Sequence, residues 1–443
     1  MATLTVSALA VLIAPPLYLL LDLAVVGRLG GEYLAALGVG TLVLSIVSTQ
    51  LTFLSYGTTA RSARRFGSGD RRGAVLEGVQ ASWIAVAVGV LIVACAYPCA
   101  PFVMRLLVGT SSPESAAVAA DAADWVRIAM FGVPLILLSM AGNGWMRGVQ
   151  ETRRPVVYVV IGLSLGAVLV VGLVHGIGPF PELGLPGSAI ANVIGQGVTG
   201  VLFAVRVIRE ARAQTPESGV SAFAPRRSVI VAQLVMARDL VVRSLSFQIC
   251  FVSAAAVAAR FGVAQVAAHQ LVLQLWEFMA LFLDSLAIAA QALVGAALGA
   301  GRLSDADSVA RRVTGVSVVA ASVMAAVFAA GATLIPQIFT SDAEVLDAVG
   351  VPWWFFVGML PIAGVVFALD GVLLGSGDAA FLRTATLTGA LVGFLPLIWL
   401  SLIFDWGLAG VWSGLVVFML VRLATVGWRI RSGRWRRAGA VRT

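Results

Sequence analysis

Long apolar runs alternate along the whole chain with short clusters of Gly, Pro and charge. The runs fall at 4–27, 33–59, 75–98, 122–146, 155–176, 187–208, 236–259, 263–292, 313–337, 351–373, 383–404 and 407–429. Each is long enough to cross a bilayer as a helix, which takes roughly 20 apolar residues. They are continuous rather than alternating, which argues against a transmembrane β-barrel. The pattern predicts an all-α membrane protein with twelve transmembrane helices.

Composition sharpens the picture. Of 443 residues, 60% are apolar and 12% charged, against roughly 25% charged in an ordinary soluble protein. So few charges could not cover the surface of a soluble enzyme. The net charge is +8, and all 30 basic residues are arginine. They are scattered between the runs rather than gathered on one face, so no nucleic-acid partner is expected. With the N-terminus in the cytoplasm, 26 of them fall on inner segments, and only Arg28, Arg105, Arg127 and Arg260 fall outside. That positive-inside split predicts an inner-membrane protein with both termini cytoplasmic. The first run lacks a basic n-region and contains Pro15, Pro16 and Asp22, so it reads as a retained span and not a signal peptide. Cys95, Cys99 and Cys250 lie in apolar runs without metal-ligand spacing, so neither a disulfide framework nor a metal site is expected.

The chain also repeats itself. Arg28-Leu29-Gly30 recurs 232 positions later as Arg260-Phe261-Gly262, and Gly67-Ser68-Gly69 as Gly299-Ala300-Gly301. Gly144 and Gly148 match Gly371 and Gly375 at an offset of 227, and Gly184-Leu185-Pro186-Gly187 matches Gly407-Leu408-Ala409-Gly410 at 223. The charged, helix-breaking stretch Arg209 to Arg227, with Pro216, Gly219 and Pro225, divides the copies. The expected organisation is an N-lobe at 1–208, a cytoplasmic linker at 209–235, a C-lobe at 236–429 and a basic cytoplasmic tail at 430–443. Parallel six-helix repeats are a build of secondary transporters, with the substrate site at the repeat interface.

Charge inside a span is expensive and by default suggests function. Along span eight, Gln270, Gln274, Glu277, Leu281, Asp284, Ile288 and Gln291 follow at alternating spacings of 4 and 3. That spacing puts them on one helix face. Shifted back by 232, the same positions in span two are Gly38, Leu42, Ser45, Thr49, Thr52, Tyr56 and Thr59. Lipid cannot host two such polar stripes, so each faces protein or a water-filled cavity. Helix-to-helix hydrogen bonding is the competing reading, but two carboxylates exceed what it requires. Asp22, with Tyr18 one turn before it, has no basic residue in its span to pair with. A carboxylate that loads and unloads a proton is what a proton-coupled carrier needs; an interhelical hydrogen bond is the alternative. Asp370 and its repeat mate Asn143 flank Gly-rich turns and read as gate or structural polar residues. Asp239 and Arg243 are spaced as a plain i,i+4 helix ion pair, and Arg147 is expected to snorkel to the interface. His269 reads as a hydrogen-bonded structural residue. Trp406, Trp412, Trp428 and Trp435 read as interface anchors, and Trp276 as a weak candidate for contact with an aromatic cation. No phosphate-binding Gly-Lys-Ser/Thr loop and no Ser/His/Asp nucleophile pattern are present. The chain is therefore expected to be neither an enzyme nor a user of ATP, and any transport must run on an ion gradient.

At this point the sequence resembles the multidrug and toxic compound extrusion (MATE) family, in its branch related to the DNA-damage-inducible protein F. Four ordered blocks carry the resemblance: Pro16-Leu17-Tyr18 through Asp22 to Gly30; Arg147-Gly148-Val149-Gln150-Glu151-Thr152-Arg153-Arg154-Pro155; Ala268-His269-Gln270 to Gly295; and Leu369-Asp370-Gly371 to Asp378. The resemblance implies two six-helix lobes in a V, related by a pseudo-twofold axis, and export by alternating access with H⁺ or Na⁺ as the coupling ion. It implies that Asp22 is the first-span protonation site. The chain departs from the pattern at Pro15 and Leu23, and span five offers only Ser164 to a polar network, with Asn192 and Gln196 in span six as neighbours.

The expected function is a secondary antiporter that exports organic, often cationic, small molecules. Coupling falls to Asp22, Glu277 and Asp284. Tyr18, Ser45, Thr49, Thr52, Asn192, Gln196, Gln270, Gln274 and Gln291 line the substrate cavity. No cofactor is expected beyond the coupling ion; the partners are the substrate and the bilayer, and the chain is read as a monomer. The alternative is a lipid-linked precursor flippase of the same superfamily, which would need an Arg-rich cavity to hold phosphates.

Overall fold

A computed structural model describes residues 2–109, 111–214 and 223–440. Pro216 and Gly219 of the expected linker, and Arg442 of the tail, lie outside the described residues. Twelve helices are long and apolar enough to cross a membrane: Ala2–Val26, Gly31–Gly67, Arg71–Val108, Pro113–Gly148, Arg153–His175, Leu185–Ala213, Arg227–Phe261, Val263–Gly299, Leu303–Ala330, Ala343–Gly375, Ala379–Ile403 and Gly407–Arg431. Each contains one of the twelve apolar runs or most of it. No strand occurs among the described residues. With no water in the bilayer core, a helix satisfies its backbone groups within its own segment, which is why these runs fold this way.

The chain forms two compact units. One comprises Val6–Ser62 and Asp70–Val235; the other comprises Met1–Thr5, Ala63–Gly69 and Met236–Thr443. They are called here the N-unit and the C-unit. The segment expected to be a linker is helical at both ends, since span six runs to Ala213 and span seven starts at Arg227. A polar network fixes the start of span seven within the N-unit. Glu77, buried on span three, accepts from Arg61 Nε at 2.7 Å and from Arg61 Nη2 at 2.9 Å. Gln233 Nε2 donates to the same carboxylate at 2.8 Å. Gln80 accepts from the Arg226 backbone N–H and donates to the Ala224 carbonyl.

The basic segment after span twelve is docked through Gly439. Trp435 is buried, and Arg436 pairs with Asp307 at 2.8 Å. Arg64, a C-unit residue, donates to the carbonyls of Ser376, Arg437 and Gly439. The Gly439 N–H in turn donates to the Leu298 carbonyl at 3.0 Å.

Within each unit the helices approach at glycines. A Cβ on Gly144 would collide with the Ser55 carbonyl, and one on Gly371 with the Ala287 carbonyl. Ser55 and Ala287 are 232 apart, and Gly144 and Gly371 are 227 apart, so one crossing is built twice. The C-unit holds a reciprocal crossing as well. Gly67 faces the Ala296 carbonyl and Gly299 faces the Arg64 carbonyl. The 232 offset maps each member of one pair onto a member of the other.

Gly371→Ala should therefore lower stability by about 1–3 kcal/mol, because backbone cannot give way as a side-chain tip can. Gly315→Ala, at a helical glycine with open space around it, should change stability by less than about 1 kcal/mol. Thermal unfolding of the purified variants in detergent checks both, and equal shifts would contradict the crossing.

Candidate functional site

In the N-unit, span one carries the first cluster. Pro15 and Pro16 lie inside the helix Ala2–Val26. Lacking N–H groups, they leave the carbonyls of Val11 and Leu12 without their helical donors. One turn further on, Tyr18 is buried, with its ring against Gly166 of span five; a Cβ there would lie 3.0 Å from the Tyr18 ring. Asp22 is 1% exposed, and no hydrogen bond of ordinary geometry reaches either carboxylate oxygen. Ser188 of span six stands beside its carboxyl. The Ser188 hydroxyl accepts from Trp125 Nε1 at 3.1 Å. The Tyr18 hydroxyl and Asn192 Oδ1 are likewise buried without a hydrogen-bond partner. Each such unsatisfied buried group costs about 1–3 kcal/mol.

Ser188, Trp125 and Gly166 were not singled out from the sequence. Ser188, Asn192 and Gln196 follow at spacings of four along one helix face, so the face was readable. Trp125 was not, since its partner is 63 residues away. Gln196 is half-buried.

The span-two stripe grades from open to closed. Gly38, Leu42, Ser45 and Thr49 are exposed, Thr52 and Tyr56 half-buried, and Thr59 buried. Thr59 donates to the Gly144 carbonyl at 3.0 Å. The helix breaks into Gly31–Gln50 and Phe53–Gly67. In the C-unit the span-eight stripe grades the same way. Gln270, Gln274 and Glu277 are exposed, Leu281 and Asp284 half-buried, and Ile288 and Gln291 buried. Span eight is unbroken, and Asp284 stands at the repeat position of Thr52, next to the break in span two.

Asp370 belongs to a different assembly from the carboxylates of span eight. Its Oδ2 accepts from Arg243 Nη2 of span seven at 2.6 Å and from Arg422 Nη2 of span twelve. This overturns the expected helical pair of Asp239 with Arg243. Asp239 instead accepts from Arg383 at 2.6 Å and from Arg238 at 3.0 Å. Tertiary packing offers each group a better-aligned partner than the next helical turn does. Arg147 is buried rather than snorkelling. Asn143, the repeat mate of Asp370, is buried with no partner for its Oδ1. His269 is buried edge-on to Trp412 at 5.8 Å between centroids, with neither ring nitrogen hydrogen-bonded, which corrects the hydrogen-bonded reading. Trp412 and Trp435 are buried rather than at an interface, while Trp406 and Trp428 are exposed. Trp276 packs into the C-unit core. Among the described residues, no group of three or more His, Cys, Asp or Glu could hold a metal ion.

A family model described as MatE matches residues 8–171 and again 240–400. The chain belongs to the MatE family. The second match starts 232 residues after the first (240 against 8), the offset read between the two halves. The DNA damage-inducible protein F of Escherichia coli (strain K12) is 30% identical over 434 residues, covering 96% of this chain and 90% of that protein. Protein DETOXIFICATION 44, chloroplastic, of Arabidopsis thaliana is 28% identical over 439 residues, covering 96% and 81%. A MATE crystal structure in the bent conformation matches with a TM-score of 0.86 at 22% identity, over 98% of this chain and 94% of that one. A MOP superfamily transporter from Pyrococcus furiosus matches with a TM-score of 0.84 at 21% identity, over 99% and 96%. At that identity the two structures speak for the fold. The MatE chain described here is thus a multi-pass membrane transporter and not an enzyme.

Because the Tyr18 hydroxyl is buried with no partner, Tyr18→Phe in this MatE protein should not lower stability and should raise it by up to about 1–3 kcal/mol. Thermal unfolding checks this, and a loss would reveal a bonded hydroxyl.

Proposed function

We propose that this MatE protein is a secondary antiporter of the inner membrane that exports organic, often cationic, small molecules in exchange for inward H⁺. It works as a monomer, with both termini in the cytoplasm. The observation that supports the coupling is Asp22, a buried carboxylate that no hydrogen bond of ordinary geometry reaches, about two turns after a double proline. Taking up a proton removes its charge, and in a dry site that charge is costly. The change in hydrogen bonding then re-seats span one about Pro15 and Pro16, where two backbone carbonyls already lack donors. Tyr18 and Ser188 are the neighbours that sense it.

Substrate is received on the accessible stretches of the stripes. Glu277, with Gln270 and Gln274, supplies a carboxylate on an open helix face, and Asp284 adds a second, deeper one. Ser45 and Thr49 offer hydroxyls on the N-unit counterpart. A few polar groups on an apolar surface admit many ligands of one charge class. The relatives, named as a DNA damage-inducible protein and as a detoxification protein, support export of unwanted compounds.

Proteoliposomes offered a panel of fluorescent organic cations from outside and given either a pH or a Na⁺ gradient test the reading. Uptake should follow the pH gradient, and Asp22→Asn should reduce it by at least about tenfold. Uptake driven by Na⁺ that survives the substitution would move coupling to Glu277 or Asp284. Failure with every cation would leave the flippase reading.

A further inference from the structure

The C-unit buries more positive than negative charge at one point. Arg243 and Arg422 converge on a single oxygen of Asp370. The charged groups that act on Arg422 are Asp370 and Arg243, and Asp239, one turn before Arg243, is turned to Arg383 and Arg238. Two guanidiniums thus share one carboxylate. The second oxygen of Asp370 and the Nε atoms of both arginines are buried without hydrogen-bond partners. Phe247 lies under both guanidiniums, at 5.7 Å from Arg243 and 5.1 Å from Arg422. Phe418 lies 5.7 Å from Arg422.

The fold does not require this set. The repeat offsets place Val11 opposite Arg243, Asn143 opposite Asp370 and Thr199 opposite Arg422. Shared contacts support the pairing of Thr199 with Arg422. Gly162 meets Thr199 in the N-unit, as Gly389 meets Arg422 in the C-unit; Gly166 meets Gly195, as Gly393 meets Phe418. Each C-unit residue named is 227 or 223 positions beyond its N-unit mate. The N-unit closes the equivalent place with an apolar cluster that includes Val11, Tyr158, Leu163 and Phe203. A buried ion pair is often no more stabilising than well-packed apolar residues, and an unbalanced one is worse. Packing alone gives no reason for two arginines here.

We propose that Arg243 and Arg422 form an anion-binding site that takes an oxyanion, the carboxylate of a small organic acid or the phosphate of a lipid headgroup. Two guanidinium forks suit such a group, and one negative charge balances the excess. Arg243, 17% exposed, is the point of entry, and Arg422, 2% exposed, is the floor. Phe247 offers an aromatic face to the body of the ligand. Asp370 is the internal group that the ligand displaces. This site lies within the C-unit and does not rest on proton coupling through Asp22.

The test is equilibrium binding to the purified full-length protein in detergent, at constant ionic strength and without a gradient. Sodium benzoate is the carboxylate probe, benzyl alcohol its neutral counterpart, and micelles with phosphatidylglycerol or phosphatidylcholine the lipid probes. Benzoate should bind saturably and benzyl alcohol should not. Arg243→Gln should weaken benzoate binding by about tenfold or more, the loss of one charge-assisted contact. Asp370→Asn should tighten it, because a competing carboxylate is gone. A purely structural ion cluster would lose stability in both variants without opposite effects on binding. Arg243→Lys, which keeps the charge, serves if the Gln variant does not fold, and should weaken binding less than tenfold. Binding of phosphatidylglycerol alone, lost with Arg243→Gln, identifies the lipid as the source. No binding of either anion to the wild type, or equal binding to the wild type, Arg243→Gln and Asp370→Asn, overturns the proposal.

Discussion

Apolar helices in a bilayer gain nothing from hiding apolar surface from one another, because lipid is as apolar as they are. What holds them is close approach, and close approach needs residues without side chains. Gly144 on the Ser55 carbonyl and Gly371 on the Ala287 carbonyl are that contact in the two units. The polar positions of the units are set by this one constraint. Once backbone lies on backbone, the stripe on span two or span eight has a fixed face, and the depth of every polar group along it follows.

A frame built twice from the same contacts leaves its side chains free to differ, and the differences carry the chemistry. At the 232 offset, Asp22 and Tyr18 of the N-unit correspond to Ala254 and Cys250 of the C-unit. Val11, Asn143 and Thr199 of the N-unit correspond to Arg243, Asp370 and Arg422 of the C-unit. The N-unit therefore holds a buried acid with no base beside it, and the C-unit holds two arginines converging on one buried acid. Neither arrangement serves packing. Each is an expense that one copy avoids with neutral residues on the same backbone, so stability alone explains neither.

The spans, the repeat and the two stripes were legible in the sequence because they depend on local periodicity and composition. A run of about 20 apolar residues has few other folds open to it. Partners were not legible. Asp239 and Arg243 have the spacing of a helical pair, yet each finds its partner 144 and 127 residues away. Arg422 was counted with the inner arginines because a charge near the end of a run is normally at the interface. It lies fifteen residues beyond the start of span twelve (422 against 407), and that depth was the available signal. Trp412 was misread for the same reason: a Trp near the end of a run is usually an anchor, but His269 covers this one.

The two charge assemblies also bear on each other through the sign of what each would accept. Glu277 on its open helix face would attract a cation; the Arg243 and Arg422 pair would attract an anion. Both are in the C-unit, on spans eight, seven and twelve, while the unpartnered acid is in the N-unit. A proton acting at Asp22 would then change the charge of one unit and leave both ligand-facing groups of the other intact. The coupling carboxylate and the charged groups of recognition would reside in different copies of the repeat, so that either could vary without disturbing the other. The range of compounds handled would be set by the C-unit's charge pattern, and the driving ion by a single carboxylate in the N-unit.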